Sequence, residues 1–453
     1  MAGDYTRLTF DPRRDRAMVL EQQGRVHLDA DFNELVAILE RRLRVETYDF
    51  AGPAVVPASE PDSFKLVGTG ANLAVQRGRI YVDGLLAENH GDRTATLIFE
   101  PVWDEPVWDA PTKIVDEPYA GDTSLPTQLV KNLEKGEFLV YLDVWQRELT
   151  AVEDPSIVEP ALGIDTCTRI QTVWRLRALD LKGKKRHCSD AWDKDPEWLK
   201  ATARSAARLT SWADQPPAPT DPCAVAPVGG YRGTENRLYR VEVHDGNNPG
   251  PVTIKWSRDN GAVATVIDGP IANAGTKPIV TVQRLGRDDV LRFAPTQWVE
   301  LLDDVLELDG KPGIMAQVES IDQSESTVTL TAPLAGTIDT NRNPRIRRWD
   351  QTQSLTNGVI PVAAFPATIE LEDGVKVKVE LDGGNIVHTG DCGPSTPEQP
   401  PPRSSSCRRS RREGSATTSP GSESSRTASS STTAASSFPA SASARATAAV
   451  PSA

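Results

Sequence analysis

Between residues 279 and 334 turn residues interrupt the apolar runs about every 8 to 12 positions, a rhythm that admits short strands and excludes a long helix. The runs are Val290-Leu-Arg-Phe, Trp298-Val-Glu-Leu-Leu, 314–320 and 327–331, parted by Asp303-Asp304, Asp309-Gly310, Pro312-Gly313 and 322–326. Four strands in about 45 residues suit a small barrel or half sandwich. The same reading gives short strands at 137–144, 168–179, 238–244 and 252–255. It also gives a hairpin at 72–82 turning on Arg77-Gly78, with a second turn at Asp83-Gly84, and another hairpin joining 367–371 to 375–381. With 35 Pro and 32 Gly but only 6% aromatic residues among 453, turns outnumber long elements. The expected fold is mainly β: several small sandwich- or barrel-like modules behind an N-terminal amphipathic helix, and a disordered C-terminal tail.

The helix is read from residues 13–48. From Asp31 onward Leu35, Ile38, Leu39 and Leu43 recur at three- and four-residue steps, with Glu34, Glu40, Arg41, Arg42 and Arg44 between them. Asp31 and Glu34 resemble a capping box, and Glu40 and Arg44 stand one turn apart in the favourable order. Those four apolar residues form a candidate docking helix for a partner. Prolines in 49–61 then end it. The expected divisions are a docking segment (1–52), a β-rich domain (53–181) with a surface excursion at 101–136, and an insertion (182–222) with a short helix at 196–209. A β-rich continuation (223–278), the barrel-like module (279–336), a terminal hairpin region (337–393) and the tail (394–453) follow.

No run of about 18 apolar residues exists to span a membrane, and no basic segment followed by an apolar core marks a secretory signal. Synthesis in a bacterial cytoplasm is therefore expected. A net charge of -13 argues against nucleic acid as a partner. The five cysteines, Cys167, Cys188, Cys223, Cys392 and Cys407, include no Cys-x-x-Cys pair, so a zinc ribbon is disfavoured and reduced thiols are expected.

No chemical constellation stands out. Asp29-Ala-Asp-Phe-Asn imitates a calcium loop, but Glu34 occupies the position where the loop needs Gly. His27, Asp29 and Asp31 alternate as metal ligands do in a strand, although helix-start roles are the simpler use. Asp288-Asp289, Asp303-Asp304 and Glu153-Asp154 fit solvated turns before they fit glycoside hydrolysis. Gly229-Gly-Tyr-Arg-Gly233 lacks the Lys-Ser/Thr ending of a phosphate loop. No catalytic residue, metal ligand or cofactor is expected. Trp145, Trp174, Trp256 and Trp298, with Trp349, lie in or beside strands near Arg or Lys. The first four are candidate glycan contacts, and core filling is their simpler use.

Several phrases together carry more than any single site. They are Arg7-Leu-Thr-Phe-Asp-Pro, Gln22-Gln-Gly-Arg-Val-His-Leu-Asp-Ala-Asp-Phe-Asn-Glu, Tyr141-Leu-Asp-Val-Trp, Glu153-Asp-Pro, Glu159-Pro-Ala-Leu-Gly and Thr172-Val-Trp. To these add Asn236-Arg-Leu-Tyr-Arg-Val-Glu-Val-His, Lys255-Trp-Ser-Arg-Asp-Asn-Gly and Gln297-Trp-Val-Glu-Leu. Residues 5–391 thereby resemble an uncharacterised bacterial family whose genes accompany phage-tail-like contractile injection clusters. The resemblance implies a non-enzymatic structural or attachment part of such a particle, released with it, whose helix docks on other particle proteins. A glycan- or cell-surface-binding module is the alternative expectation, and a polysaccharide-acting enzyme the third.

In that family Thr-Gly-Asp is expected to lead into Tyr-Trp and an Arg-Thr-Ala-Thr stretch, whereas here Thr389-Gly-Asp meets Cys392. Residues 394–453 then hold seven Arg against three Glu and almost no bulky apolar residue, a composition that offsets no ordering entropy. A Cys392 codon ending in T, read from its third base, starts a new frame with Trp. A one-base frameshift near Cys392 accounts for both features. Resequencing the gene across codons 389–393 is expected to reveal the shifted base, and an unaltered frame removes the inference.

Overall fold

Twelve residues pair without a break between the strands Phe138–Leu149 and Arg169–Asp180, from Phe138↔Asp180 to Leu149↔Arg169. This computed structural model describes residues 3–68, 73–91, 112–113, 118–119, 138–184, 186, 190, 192, 194–203, 205, 207–213, 237–246, 251–286, 288, 290–353, 355–381, 387–395 and 444–446. The long hairpin presents Leu142, Val144, Trp174 and Leu176 to Phe64, Val75, Ile80, Val82, Leu85 and Ala87, which makes the first apolar core. Alternate residues of Gly78–Val82 are buried, the period-two pattern of a strand with one face inward.

Gly78–Val82 pairs with Leu85–Asn89, so the hairpin turns on Asp83-Gly84 and not on Arg77-Gly78. Both turn residues take positive φ, 47° and 77°, the conformation that two-residue hairpins require. A Cβ at Gly84 would come within 2.1 Å of the Arg44 carbonyl oxygen, so only glycine lets the helix lie against this turn. Ala74–Val75 pairs instead with Leu66–Val67.

The second core is a sandwich. One sheet runs Ile360–Val362, Val252–Ser257, Tyr239–Asp245, Cys392–Ser395, and the other Ala207–Ala213, Val375–Leu381, Ala367–Glu370. Tyr239, Val241, Ile254 and Trp256 of the first sheet meet Ile369, Val375, Val377 and Val379 of the second. The expected hairpin joining 367–371 to 375–381 is therefore half of a sandwich layer. The expected helix at 196–209 covers only Pro196–Ala201, capped by Asp195, and Ala207–Ala213 becomes a strand paired to Val375–Leu381.

The third core is the barrel. Six strands lie in the order Ala264–Val266, Arg345–Trp349, Trp298–Leu302, Ile314–Asp322, Thr327–Leu330, Ile279–Thr281. The bridge Ile267↔Val282 joins the two outer strands and closes the ring. Val280, Val299, Leu301, Val318, Val328, Leu330 and Ile346 fill it. Residues 290–293, expected as a strand, form none, because Asp288 accepts hydrogen bonds from the Val290 and Leu291 amides and bends the chain. Asp303 does not sit in a simple turn but caps a short helix, Asp304–Leu308.

The N-terminal helix spans Asp29–Ala51, and residues 15–28 before it are not helical. Asp31 does not cap it. Asp29 opens the first turn and accepts hydrogen bonds from the Thr6 amide and hydroxyl at 3.0 and 2.6 Å. Glu34 turns inward to Thr9 and Arg16, each at 2.5 Å, and forms no capping box. Arg44 donates to the Asp83 carbonyl, while the pair along the helix is Arg42–Glu46. The expected excursion at 101–136 and the expected disorder of 394–453 lie outside the described residues, apart from 112–113, 118–119, 394–395 and 444–446.

Ile346 is fully enclosed among the apolar side chains that fill the barrel. Ile346→Ala is expected to destabilise the barrel by about 2–5 kcal/mol. Denaturant titration followed by tryptophan fluorescence reads this as an earlier transition.

Candidate functional site

Strand alternation gives the sandwich sheet two unlike faces. Val241 and Val243 are buried on one, while Arg240, Glu242 and His244 point to the other. Lys255 stands directly opposite Glu242 in the neighbouring strand. From the barrel strand Trp298–Leu302, whose Val299 and Leu301 point into the barrel, Glu300 projects outward to meet them. Lys255 Nζ lies 2.5 and 2.7 Å from the two Glu300 oxygens and 3.0 Å from Glu242 Oε1. Trp349 donates its indole N–H to Glu300 at 2.9 Å and sets its ring 4.4 Å from the ammonium. Arg240 Nε closes on Glu242 at 2.6 Å, and His244 Nδ1 stands 3.4 Å from Glu300.

Burial by itself would push both glutamates up. The charge and hydrogen bonds of Lys255, with His244 close by, outweigh it at Glu300, and the charges of Arg240 and Lys255 do so at Glu242. Both carboxyls are held well below the ordinary glutamate range. They line a cleft of about 2690 Å³ running between the helix, the long hairpin and the barrel. A glycosidase pair needs one carboxyl kept protonated as acid near neutral pH. These two share one ammonium and both stay ionised, which suits cross-bracing and not proton delivery.

Further ion pairs tie the modules along the same cleft. Arg175 of the hairpin pairs with Asp309, and Arg147 reaches Asp304 at 3.4 Å. Arg345 gathers Glu153, Asp304 and Glu307, and Arg347 also reaches Glu153. Of the adjacent carboxylates read from sequence, Glu153, Asp303 and Asp304 enter the interior, while Asp154 and Asp288 accept backbone amides in turns, and Asp289 lies outside the described residues. His27 pairs with Glu21 at 2.8 Å, and among the described residues no group of three His, Cys, Asp or Glu is arranged to hold a metal. Cys167 is an exposed free thiol, and its hydrogen bonds with Arg169 and Thr166 hold it below the usual thiol range. Gly229–Gly233 lies outside the described residues.

The four tryptophans do not share a surface. Trp174 is enclosed, donating to the Glu88 carbonyl and meeting Phe64 edge-on, and Trp256 packs against Tyr239 inside the sandwich. Neither offers a face to a sugar. Trp145 and Trp298 are half-buried, and Trp298 lies so close to Gly358 that a Cβ there would fall 2.3 Å from its ring.

The helix residues separate as well. Ile38 is buried against the chain's own body and Leu35 is half-buried, whereas Leu39 and Leu43 face solvent. Phe32, Val36 and Phe50, which the sequence reading passed over, are exposed beside them. No described helix is long and apolar enough to cross a membrane.

A protein-family model described as a family of unknown function, DUF6519, matches residues 1–211 and 182–393. No curated protein and no solved structure matches the chain.

Removing Lys255 leaves Glu300 buried without its cation. Lys255→Met is therefore expected to cost about 3–5 kcal/mol at pH 7. In the parent, each depressed carboxyl stabilises the fold above about pH 4.5, its ordinary value, and that contribution is lost as pH falls through the lower folded value. In the variant burial raises Glu300, so protonation on acidification relieves the strain. Thermal melts are expected to show a gap that is widest at pH 7 and narrows toward pH 4.5, and a constant gap contradicts the assignment.

Proposed function

The chain belongs to DUF6519, and we propose that it serves as a non-enzymatic structural or attachment component of a phage-tail-like particle of the contractile injection type. The observation that carries this reading is the N-terminal helix, whose Phe32, Val36, Leu39, Leu43 and Phe50 face solvent while its other side is anchored to the body. Single exposed apolar residues are ordinary, but a contiguous stripe on one helix marks a contact surface. Behind the helix, three β cores cross-tied by buried ion pairs suit a stiff spacer. The ionised Glu242–Lys255–Glu300 cluster supports a bracing role over hydrolysis. In this reading the protein is made in the bacterial cytoplasm, joins other particle proteins through the helix and leaves with the particle. The change of character after Asp391 is then a shifted frame.

The half-buried Trp145 and Trp298 favour a second reading, a glycan- or cell-surface-binding module. Glycan-array binding that disappears in Trp145→Ala and Trp298→Ala would promote it.

Sedimentation of particles from the producing bacterium tests the first reading. The protein is expected to pellet with sheath and tube, and Leu39→Glu/Leu43→Glu is expected to move it at least tenfold toward the supernatant. Equal amounts in the supernatant with and without the substitutions would remove the docking role, and a chromosomal neighbourhood without sheath, tube or baseplate genes would weaken the particle.

A further inference from the structure

Lys255 is unlike other lysines that pair with a carboxylate in this chain. Lys182 and Lys277 are more than half exposed, whereas the Lys255 side chain is 3% exposed and the Glu300 side chain it meets is fully enclosed. A lysine kept from water is the one suited to act as a nucleophile. Its Nζ lies 2.5 and 2.7 Å from the two Glu300 oxygens, so the nitrogen already rests against the carboxyl group. Glu242 Oε1 stands 3.0 Å from the same nitrogen. Trp349 donates its indole N–H to Glu300 Oε2 at 2.9 Å and sets its ring 4.4 Å from the nitrogen. We infer that Lys255 and Glu300 condense into an intramolecular isopeptide bond, with Glu242 carrying the proton, so that sandwich and barrel become one covalent unit. The inference rests on the bracing role of this cluster and makes the brace permanent.

The neighbouring charges decide which glutamate reacts. Arg240 holds Glu242 with Nε at 2.6 Å and Nη2 at 2.5 Å, and that pair stays whole when Lys255 bonds to Glu300. Bonding to Glu242 instead would strand the buried Glu300 charge without Lys255. Condensation with Glu300 replaces two buried charges by one neutral amide, which removes the cost of keeping both from water. The ion pair is the state before the bond closes. The Lys255 ammonium passes one proton to the ionised Glu242, which frees the nitrogen lone pair. Glu300 turns about its terminal torsion, a soft one, and presents its carbon to the nitrogen. The lone pair forms the N–Cδ bond, and the Trp349 N–H holds the negative charge that gathers on Oε2. A second proton moves from the nitrogen to Oε1, and Glu242 returns the first to the same oxygen. The Cδ–Oε1 bond then breaks, its electron pair leaves with the water, and Oε2 reforms the carbonyl. One ammonium and one carboxylate have become an amide and a water, Glu242 ends as it began, and nothing is oxidised or reduced. Fixing both groups in contact is worth an effective concentration on the order of 10⁵–10⁸ M.

Mass spectrometry of the denatured full chain tests this. The intact mass, once the presence or loss of Met1 is counted, is expected to fall below the sequence mass by one water. Trypsin is expected to skip Lys255 and release residues 241–258 joined to residues 293–342, a branched fragment whose linkage tandem spectra locate. Lys255→Arg keeps the cation but has no amine to condense, and it is expected to show the full sequence mass. Glu242→Gln takes up no proton and is expected to show the full mass as well, with normal cleavage after Lys255. A parent of full sequence mass overturns the inference whatever the variants do, and so does a loss of water mapped to any other residues. A Glu242→Gln chain that closes as the parent does overturns the proton-carrying role. A full-mass parent that pellets with particles removes the bond and keeps the structural reading; a cross-linked chain absent from particles does the reverse.

Discussion

The ammonium of Lys255, seated between Glu242 and Glu300, joins two β units that share no apolar core. Its sheet would present charge to charge without it, since Glu242 and Glu300 approach from facing strands. A buried ion pair adds little net stability when compared with a well-packed apolar substitute, yet loss of one member leaves a charge that nothing solvates. The other bridges along the cleft, Arg345 to Glu153, Arg175 to Asp309 and Arg147 to Asp304, repeat the device between hairpin and barrel. The hydrogen-bonded ion pairs thus tie the sandwich to the barrel through Lys255 and the hairpin to the barrel through Arg175.

Much of the β organisation was legible because strand and turn signals are local. The runs at Trp298, at 314–320 and at 327–331 appear as strands since alternating apolar residues and Asp-Gly or Pro-Gly turns act within a few positions. The errors have local causes too. Asp288 bends the chain through its own amide contacts, and of the two turns read at Arg77-Gly78 and Asp83-Gly84 only the second joins paired strands. Closure of the barrel through Ile267 and Val282, and the partner that Ala207–Ala213 finds in Val375–Leu381, depend on residues far apart in sequence.

The charge cluster left a signal that went unused. Arg240, Glu242 and His244 alternate with valines in one strand, which reads at first as an ordinary surface face. Only the strand register, with Lys255 opposite Glu242, turns that alternation into an interior. The helix illustrates the complementary difficulty. Leu35, Ile38, Leu39 and Leu43 all lie on recurring apolar steps, but periodicity alone does not say which neighbours are covered by the body. Ile38 goes inward while Leu39 goes outward, and the second stripe through Phe32, Val36 and Phe50 emerges once the first is filled.

The ring closed at Ile267 and Val282 leaves every barrel strand with both of its hydrogen-bonding sides engaged. Where many protein chains are crowded side by side, such a unit has nothing with which to recruit a foreign backbone. Polymerisation by runaway stacking is thereby blocked at this part of the molecule, and association is left to side chains whose pattern specifies a partner.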